Sequence, residues 1–186
     1  VLQKLSGSIT CSLCAPYLGQ ALPDEVFDGV VFTGSAVAWC VDAPEGQALR
    51  DMWRQVTRWK VPIWGSCNGM QLAAFMLGGI CAASPHGDEE GLAEAITLTE
   101  IGREHPMMQG RASQFLAPCV HRDEVQRLPN GALLLAGNAH SPVQAFTYET
   151  ADISFWGTQY HPEFSRADVA TWLADRGKSL PDSEEQ

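Results

Sequence analysis

The sequence predicts an α/β protein: a three-layer sandwich in which a mostly parallel central sheet lies between helices and carries an antiparallel rim. Three observations predict it. Phe27-Asp28-Gly29-Val30-Val31-Phe32 is an apolar run with β-branched and aromatic residues facing both ways, the pattern of a strand covered on both faces. Residues 47–59 carry apolar side chains at positions 49, 52, 53 and 56, the spacing of an amphipathic helix. A second apolar strand begins at Val61 and passes through a turn into an apolar helix. Strand, helix, strand and helix in succession are the order of a parallel βαβ arrangement.

Along the chain, residues 9–13 lean towards β structure and feed a loop that contains Pro16, Gly19 and Pro23. After the helix that stops at Gly78-Gly79 the texture changes. Residues 87–91 are acidic and glycine-rich, residues 95–99 suit a strand, and His105-Pro106 through Gly110 reads as a loop. Residues 115–121 and 131–136 are further strand candidates, separated by a polar segment that ends at Pro129-Asn130-Gly131. Residues 143–148 and 153–159 flank an acidic turn as a hairpin. Residues 167–176 form a closing helix, and the acidic residues 179–186 read as a solvated tail after a single domain spanning 1–178. At 186 residues the chain suits one domain with a substantial core.

The formal charge of -10 disfavours nucleic acid and anionic membrane as partners, since both require a basic face. No apolar run approaches the length of a membrane span, and the chain opens without the basic start and apolar stretch of a signal segment. The expected setting is cytoplasmic. Six cysteines form no regular framework, so reduced thiols are expected, and Cys11-Ser12-Leu13-Cys14 is read as two small apolar side chains rather than a metal or redox pair.

Two stretches carry chemistry. In Gly65-Ser66-Cys67-Asn68-Gly69 the cysteine sits at a strand-to-helix elbow, with glycine two residues before and two after it. Such an elbow crowds the backbone and lifts the central side chain towards the first free N–H groups of a helix, which favour a thiolate. Taken alone, the segment suits a reactive cysteine and a structural one alike. The second stretch is His161-Pro162-Glu163, at the end of the last strand, where a rigid proline lets an imidazole and a carboxylate project to one side. A thiol nucleophile needs a neighbouring imidazole to take and return protons, and the imidazole needs a carboxylate to hold its tautomer. Cys67, His161 and Glu163 supply those roles.

With both stretches in view, the chain resembles the class I glutamine amidotransferases. Gly65-Ser66-Cys67-Asn68-Gly69-Met70-Gln71 is similar to their G-x-C-x-G-x-Q elbow and His161-Pro162-Glu163 to their H-P-E. The segments 28–35, 120–125 and 141–146 are similar to stand-alone, GMP-synthase-like members. The resemblance implies a flavodoxin-like fold, whose usual N-terminal strand and helix this chain does not carry before residue 9. It implies that Cys67 attacks the side-chain amide of glutamine to give a γ-glutamyl thioester and ammonia, with His161 shuttling protons and Glu163 behind it. Backbone N–H groups of Gly34 and Asn68 would hold the oxyanion, and Gln71 would contact the substrate. In the oxyanion loop, Thr33-Gly34-Ser35 stands where G-G-P is more familiar.

No metal and no cofactor are implied. The chain holds no GxxxxGK[ST] phosphate loop, so any ammonia-accepting synthetase is expected as a separate chain. The expected small molecule is glutamine or another γ-glutamyl compound. Three alternatives differ in class: a γ-glutamyl peptide or conjugate hydrolase with the same three residues, a binding or regulatory module that keeps only the fold, and an α/β-hydrolase. The last is disfavoured because its acid would precede its histidine, whereas Glu163 follows His161.

Overall fold

The computed structural model describes residues 9–175 and 177. The acidic tail and the outer ends of the 1–178 domain lie outside those residues. Among the described residues, nine strands form two sheets. They are β1 (Val30–Phe32), β2 (Pro62–Ser66), β3 (Ile80–Ala83), β4 (Glu89–Leu98), β5 (Gln114–His121), β6 (Asp123–Arg127), β7 (Leu133–Gly137), β8 (Ala145–Glu149) and β9 (Ser154–Thr158). Four α-helices are interspersed: α1 (Gln47–Val56), α2 (Asn68–Met76), α3 (Glu100–Glu104) and α4 (Arg166–Ala174).

The main sheet has seven strands in the order β1-β2-β9-β8-β7-β4-β5, and β3 pairs with β6 in a separate two-stranded ribbon. Only β1, β2 and β9 are mutually parallel, and the pairings from β9 outward to β5 are antiparallel. The sheet is therefore mixed, with a parallel part narrower than the sequence suggests. The register aligns Phe32 with Gly65, and Ser66 with Thr158, so the three parallel strands end side by side. A site at the carboxyl ends of parallel strands is where an open α/β sheet offers a crevice.

Burial on both faces is visible on β8. Ala145 and Phe146 are fully buried neighbours that belong to different apolar clusters, because successive strand residues point to opposite faces. One cluster joins Phe146 and Phe155 to Trp53 of α1 and to Met70 and Leu72 of α2. The other joins Ala145 to Ile96, Leu98 and Leu135. Helix α1 buries Met52, Trp53 and Val56 as its spacing predicts, and also Arg50. The Arg50 guanidinium donates to the carbonyls of Val41 and Ala43, which ties the segment following β1 to the helix.

Several expectations need correction. Residues 9–13 form no strand; Leu13 is exposed, and a short 3-10 turn at Pro16–Leu18 follows. β1 has three residues and lies at the sheet edge among the described residues, with Val31 exposed and Phe32 buried, so it is not covered on both sides. Helix α3 and strands β3 and β6 go unread in the sequence. α3 has one turn and a Thr99 cap that accepts from the Gly102 N–H at 2.9 Å. In β6, Asp123 and Glu124 are buried by pairing with β3, which apolar alternation does not reveal. All six cysteines are free thiols.

Candidate active site

Cys67 is buried at the junction of β2 and α2, with φ 50° and ψ -107°. For a residue with a side chain this backbone is strained and persists only where its surroundings enforce it. The enforcement is visible. The Cys67 N–H continues the sheet by donating to the Thr158 carbonyl at 2.8 Å, while its own carbonyl already accepts from Met70 and Gln71 as the first turn of α2. Gly65 and Gly69 touch across the elbow, and a β-carbon on Gly69 would fall on the Phe32 carbonyl of β1. The two glycines of the motif are thus required by close approach.

His161 follows β9 and is buried; Pro162 and Glu163 form a turn closed by the Phe164 N–H donating to the His161 carbonyl at 3.2 Å. That turn sets Glu163 Oε1 2.8 Å from His161 Nδ1. Burial acts to lower the His161 pKa, but hydrogen bonds to Cys67 and Glu163 and their negative charge outweigh it and raise it to about 9. Burial likewise acts to raise the Glu163 pKa, and the bonds from His161 and Ser66 bring it below its ordinary value. The pair is held as imidazolium and carboxylate, the form that stabilises a thiolate beside it.

Gly34, in the loop after β1, lies against both groups. A β-carbon there would stand 2.8 Å from His161 Cε1 and 3.4 Å from Cys67 Cβ. Asn68 opens α2, next to Cys67, so its N–H is among those that have no acceptor one turn earlier in the helix. A cleft beside the cysteine is lined by Ser35, Val37, Trp39, Asn68, Gln71 and residues 120–123, where β5 passes into β6. The structure therefore brings together Cys67, His161, Glu163, Gly34 and Asn68, and it puts Gln71 in the cleft wall. The Gln71 amide nitrogen is already engaged, donating to the Asp123 carbonyl and to Gln159 Oε1.

Sequence reasoning missed four contributors. Ser66 Oγ donates to Glu163 Oε1 at 2.8 Å and lies 3.5 Å from His161 Nδ1. Gln159 Nε2 lies 3.5 Å from Cys67 Sγ, and the thiol reaches the Val120 carbonyl at 3.6 Å. Phe164 stacks on the His161 ring. Ser66 stood inside the motif, Phe164 next to H-P-E and Gln159 two residues before His161, but none of these residue types announces such a contact, and the full burial that marks Gln159 is visible only in the fold.

Behind β5 lies a second polar group. Glu89 Oε2 accepts from His121 Nε2 and Gln144 Nε2, each at 2.8 Å, and Oε1 accepts from Asn138 at 2.7 Å. These bonds keep the Glu89 pKa below its ordinary value although burial pushes it up. Cys119, which also reaches Glu89, is held as a thiol by burial and by that carboxylate. Glu89, Cys119 and His121 have ligand-type atoms within 4.8 Å of one another, and the bonds of His121 Nε2 and Cys119 to Glu89 brace β4 against β5, while His121 Nδ1 and Gln144 Oε1 are buried without a hydrogen-bond partner among the described residues.

A family model, Glutamine amidotransferase class-I, matches residues 37–176. The chain belongs to that family. Among its relatives, a gamma-glutamyl-L-1-hydroxyisopropylamide hydrolase from Pseudomonas sp is 36% identical over 87% of this chain. The chain spans 55% of that relative's length. A subunit of the glutamine-hydrolyzing GMP synthase from Saccharolobus solfataricus is 34% identical over 74% of this chain and 68% of its own. The fold is that of a glutamine amidotransferase from Thermotoga maritima, with a TM-score of 0.72 and 20% identity over 88% of this chain and 69% of that one. The elbow cysteine and the H-P-E turn follow the adjacent strands β2 and β9. No helix among the described residues is long and apolar enough to cross a membrane.

Proposed function

We propose that this chain hydrolyses a γ-glutamyl amide, with glutamine as the first substrate, through a thioester on Cys67. The observation that carries the reading is the convergence of a strained elbow cysteine with the His161 and Glu163 pair, under a glycine loop too tight for any side chain. Cys67 Sγ attacks the amide carbon. The oxyanion is held by the N–H groups of Gly34 and Asn68, preset donors in a buried corner. His161 gives its proton to departing ammonia, then takes one from the water that cleaves the thioester to glutamate. Gln71, its amide nitrogen already held, presents Oε1 to the substrate ammonium. Glu163 stays ionised and fixes the imidazole. The ammonia passes to a separate synthetase chain, in keeping with the relatives that are named as one subunit of a GMP synthase.

A second reading changes the amine and keeps the mechanism. The Pseudomonas relative is named for a γ-glutamyl hydroxyisopropylamide, and the lining of the cleft here includes Val37, Trp39 and Val120, side chains that suit an alkyl group on the leaving nitrogen. A module kept only for binding has no chemical need for the intact set.

The test has two parts. A diazo-ketone analogue of glutamine should label Cys67, as located by mass spectrometry, and the label should vanish in Cys67→Ala. Product release is then compared for glutamine and for a panel of γ-glutamyl alkylamides and peptides, with and without a candidate synthetase. An unlabelled Cys67 together with every amide left intact sinks the proposal; preference for an alkylamide selects the second reading.

A further inference from the structure

The feature that the mechanism leaves unused is Phe164. It is 42% exposed, which is unusual for a phenylalanine, and it lies directly on His161, which is only 5% exposed. The two rings are stacked, with centroids 4.4 Å apart and planes 7° from parallel. The tight turn through Pro162 and Glu163 produces this, since its closing hydrogen bond brings residue 164 back over residue 161. Phe164 does not line the cleft, and it belongs to neither apolar cluster. Its exposed ring therefore contributes little to the core, and its contact is with the face of one imidazole.

The geometry points to Phe164 as a positioning residue that acts through His161: its ring closes the solvent side of the imidazole, holds the ring plane in line with Glu163 and the Cys67 sulfur, and favours the cationic form. A cation over an aromatic face is attracted by the negative charge of the ring's π-cloud, and the attraction grows as water is excluded. An imidazole face open to water loses both effects. The titratable groups with the largest effect on His161 are Cys67, at the start of α2, and Glu163, on its own turn. β5 offers it the Pro118 backbone carbonyl, and the loop after β1 offers Gly34, neither of which carries charge. Phe164 adds a contact of a different kind to that set. It also has an alternative that is simply steric, in which any apolar side chain would serve.

The inference rests on the amide-hydrolase reading for its catalytic meaning, but its first measurement does not. The imidazole of His161 is titrated by NMR in the full chain, with Phe164→Leu and Phe164→Tyr compared to the native protein. Leucine keeps an apolar cover and removes the aromatic face; tyrosine restores it. The native midpoint is expected at about 9. In Phe164→Leu it should fall by roughly half a unit to one unit, and in Phe164→Tyr it should return to within ~0.2 units of the native value. Turnover of the best γ-glutamyl amide should fall roughly three- to tenfold in Phe164→Leu near pH 8.5 with KM held, and recover in Phe164→Tyr. A leucine variant that titrates like the native protein overturns the inference, as does a tyrosine variant that fails to restore the midpoint. Because the residue is exposed, loss of folding does not confuse the result. If no amide is hydrolysed but the midpoint moves as stated, the proposed function fails and the role of Phe164 on the imidazole stands.

Discussion

One methyl group separates Gly34 from alanine, and the site has no room for it. The Gly34 backbone is not in the left-handed region, so alanine costs no strain there; the penalty is contact with His161 Cε1 at 2.8 Å. The imidazole is the neighbour that must move, since the loop is tied through Val41 and Ala43 to Arg50. Gly34→Ala is expected to lower turnover by about 10²-fold, because a displacement near 1 Å at the reacting groups has that effect, while the thermal midpoint stays near the native one. Steady-state kinetics and calorimetry on the same preparation check it; an active Gly34→Ala enzyme would remove this loop from the oxyanion site. The identity of Gly34 was readable in the chain. Its reason was not, because the clash is with a residue 127 positions later.

The elbow between β2 and α2 was the most legible element. A run of apolar residues, a glycine-flanked turn and a second apolar run have few other solutions, and seven of the nine residues of α2 are buried. The contact that makes it rigid lies outside it, where Gly69 packs on the Phe32 carbonyl of β1. Gly69→Ala must therefore separate α2 from β1 or bend the elbow, at a cost of roughly 1–3 kcal/mol, the range for overpacking a close contact. Urea unfolding of the two proteins measures it, and a midpoint unchanged from native would contradict the packing. The elements that escaped the sequence are those whose residues are decided by neighbours. β6 reads as a polar linker because Asp123 and Glu124 are buried by the β3 ribbon and by bonds to Arg122 and Ser141. Residues 9–13 have strand-forming composition but pair with no strand among the described residues.

Across the molecule, the protonation of the site feeds back on stability. His161 has a folded pKa raised to about 9 from an ordinary 6.5, so its contribution is complete below pH 6.5 and is lost as pH rises through 9. Glu163 has a lowered folded pKa, so its contribution is present above its ordinary 4.5 and is lost as pH falls through the folded value. The two together predict a stability plateau above pH 4.5 that declines on the alkaline side between pH 6.5 and 9, by about 1–3 kcal/mol. In His161→Ala the alkaline decline should flatten. Urea midpoints taken every half unit of pH test this, and a His161→Ala protein with the native alkaline slope would assign that slope to other groups.

Local chemistry was sufficient to read the α/β class, the elbow around Cys67 and the pairing of His161 with Glu163, because each depends on residues adjacent in the chain: glycines around Cys67, a proline between His161 and Glu163, and apolar periodicity in α1. Folding alone could supply what depends on distant segments. The aligned ends of β1, β2 and β9 carry Gly34, Cys67 and His161 to one point. The narrow parallel section, the Ser66 bond to Glu163 and the Gln159 contact with the sulfur also follow from strand register. The physical reason is that hydrogen bonding between strands and exclusion of water act between segments far apart in sequence, whereas steric and conformational preferences act between neighbours.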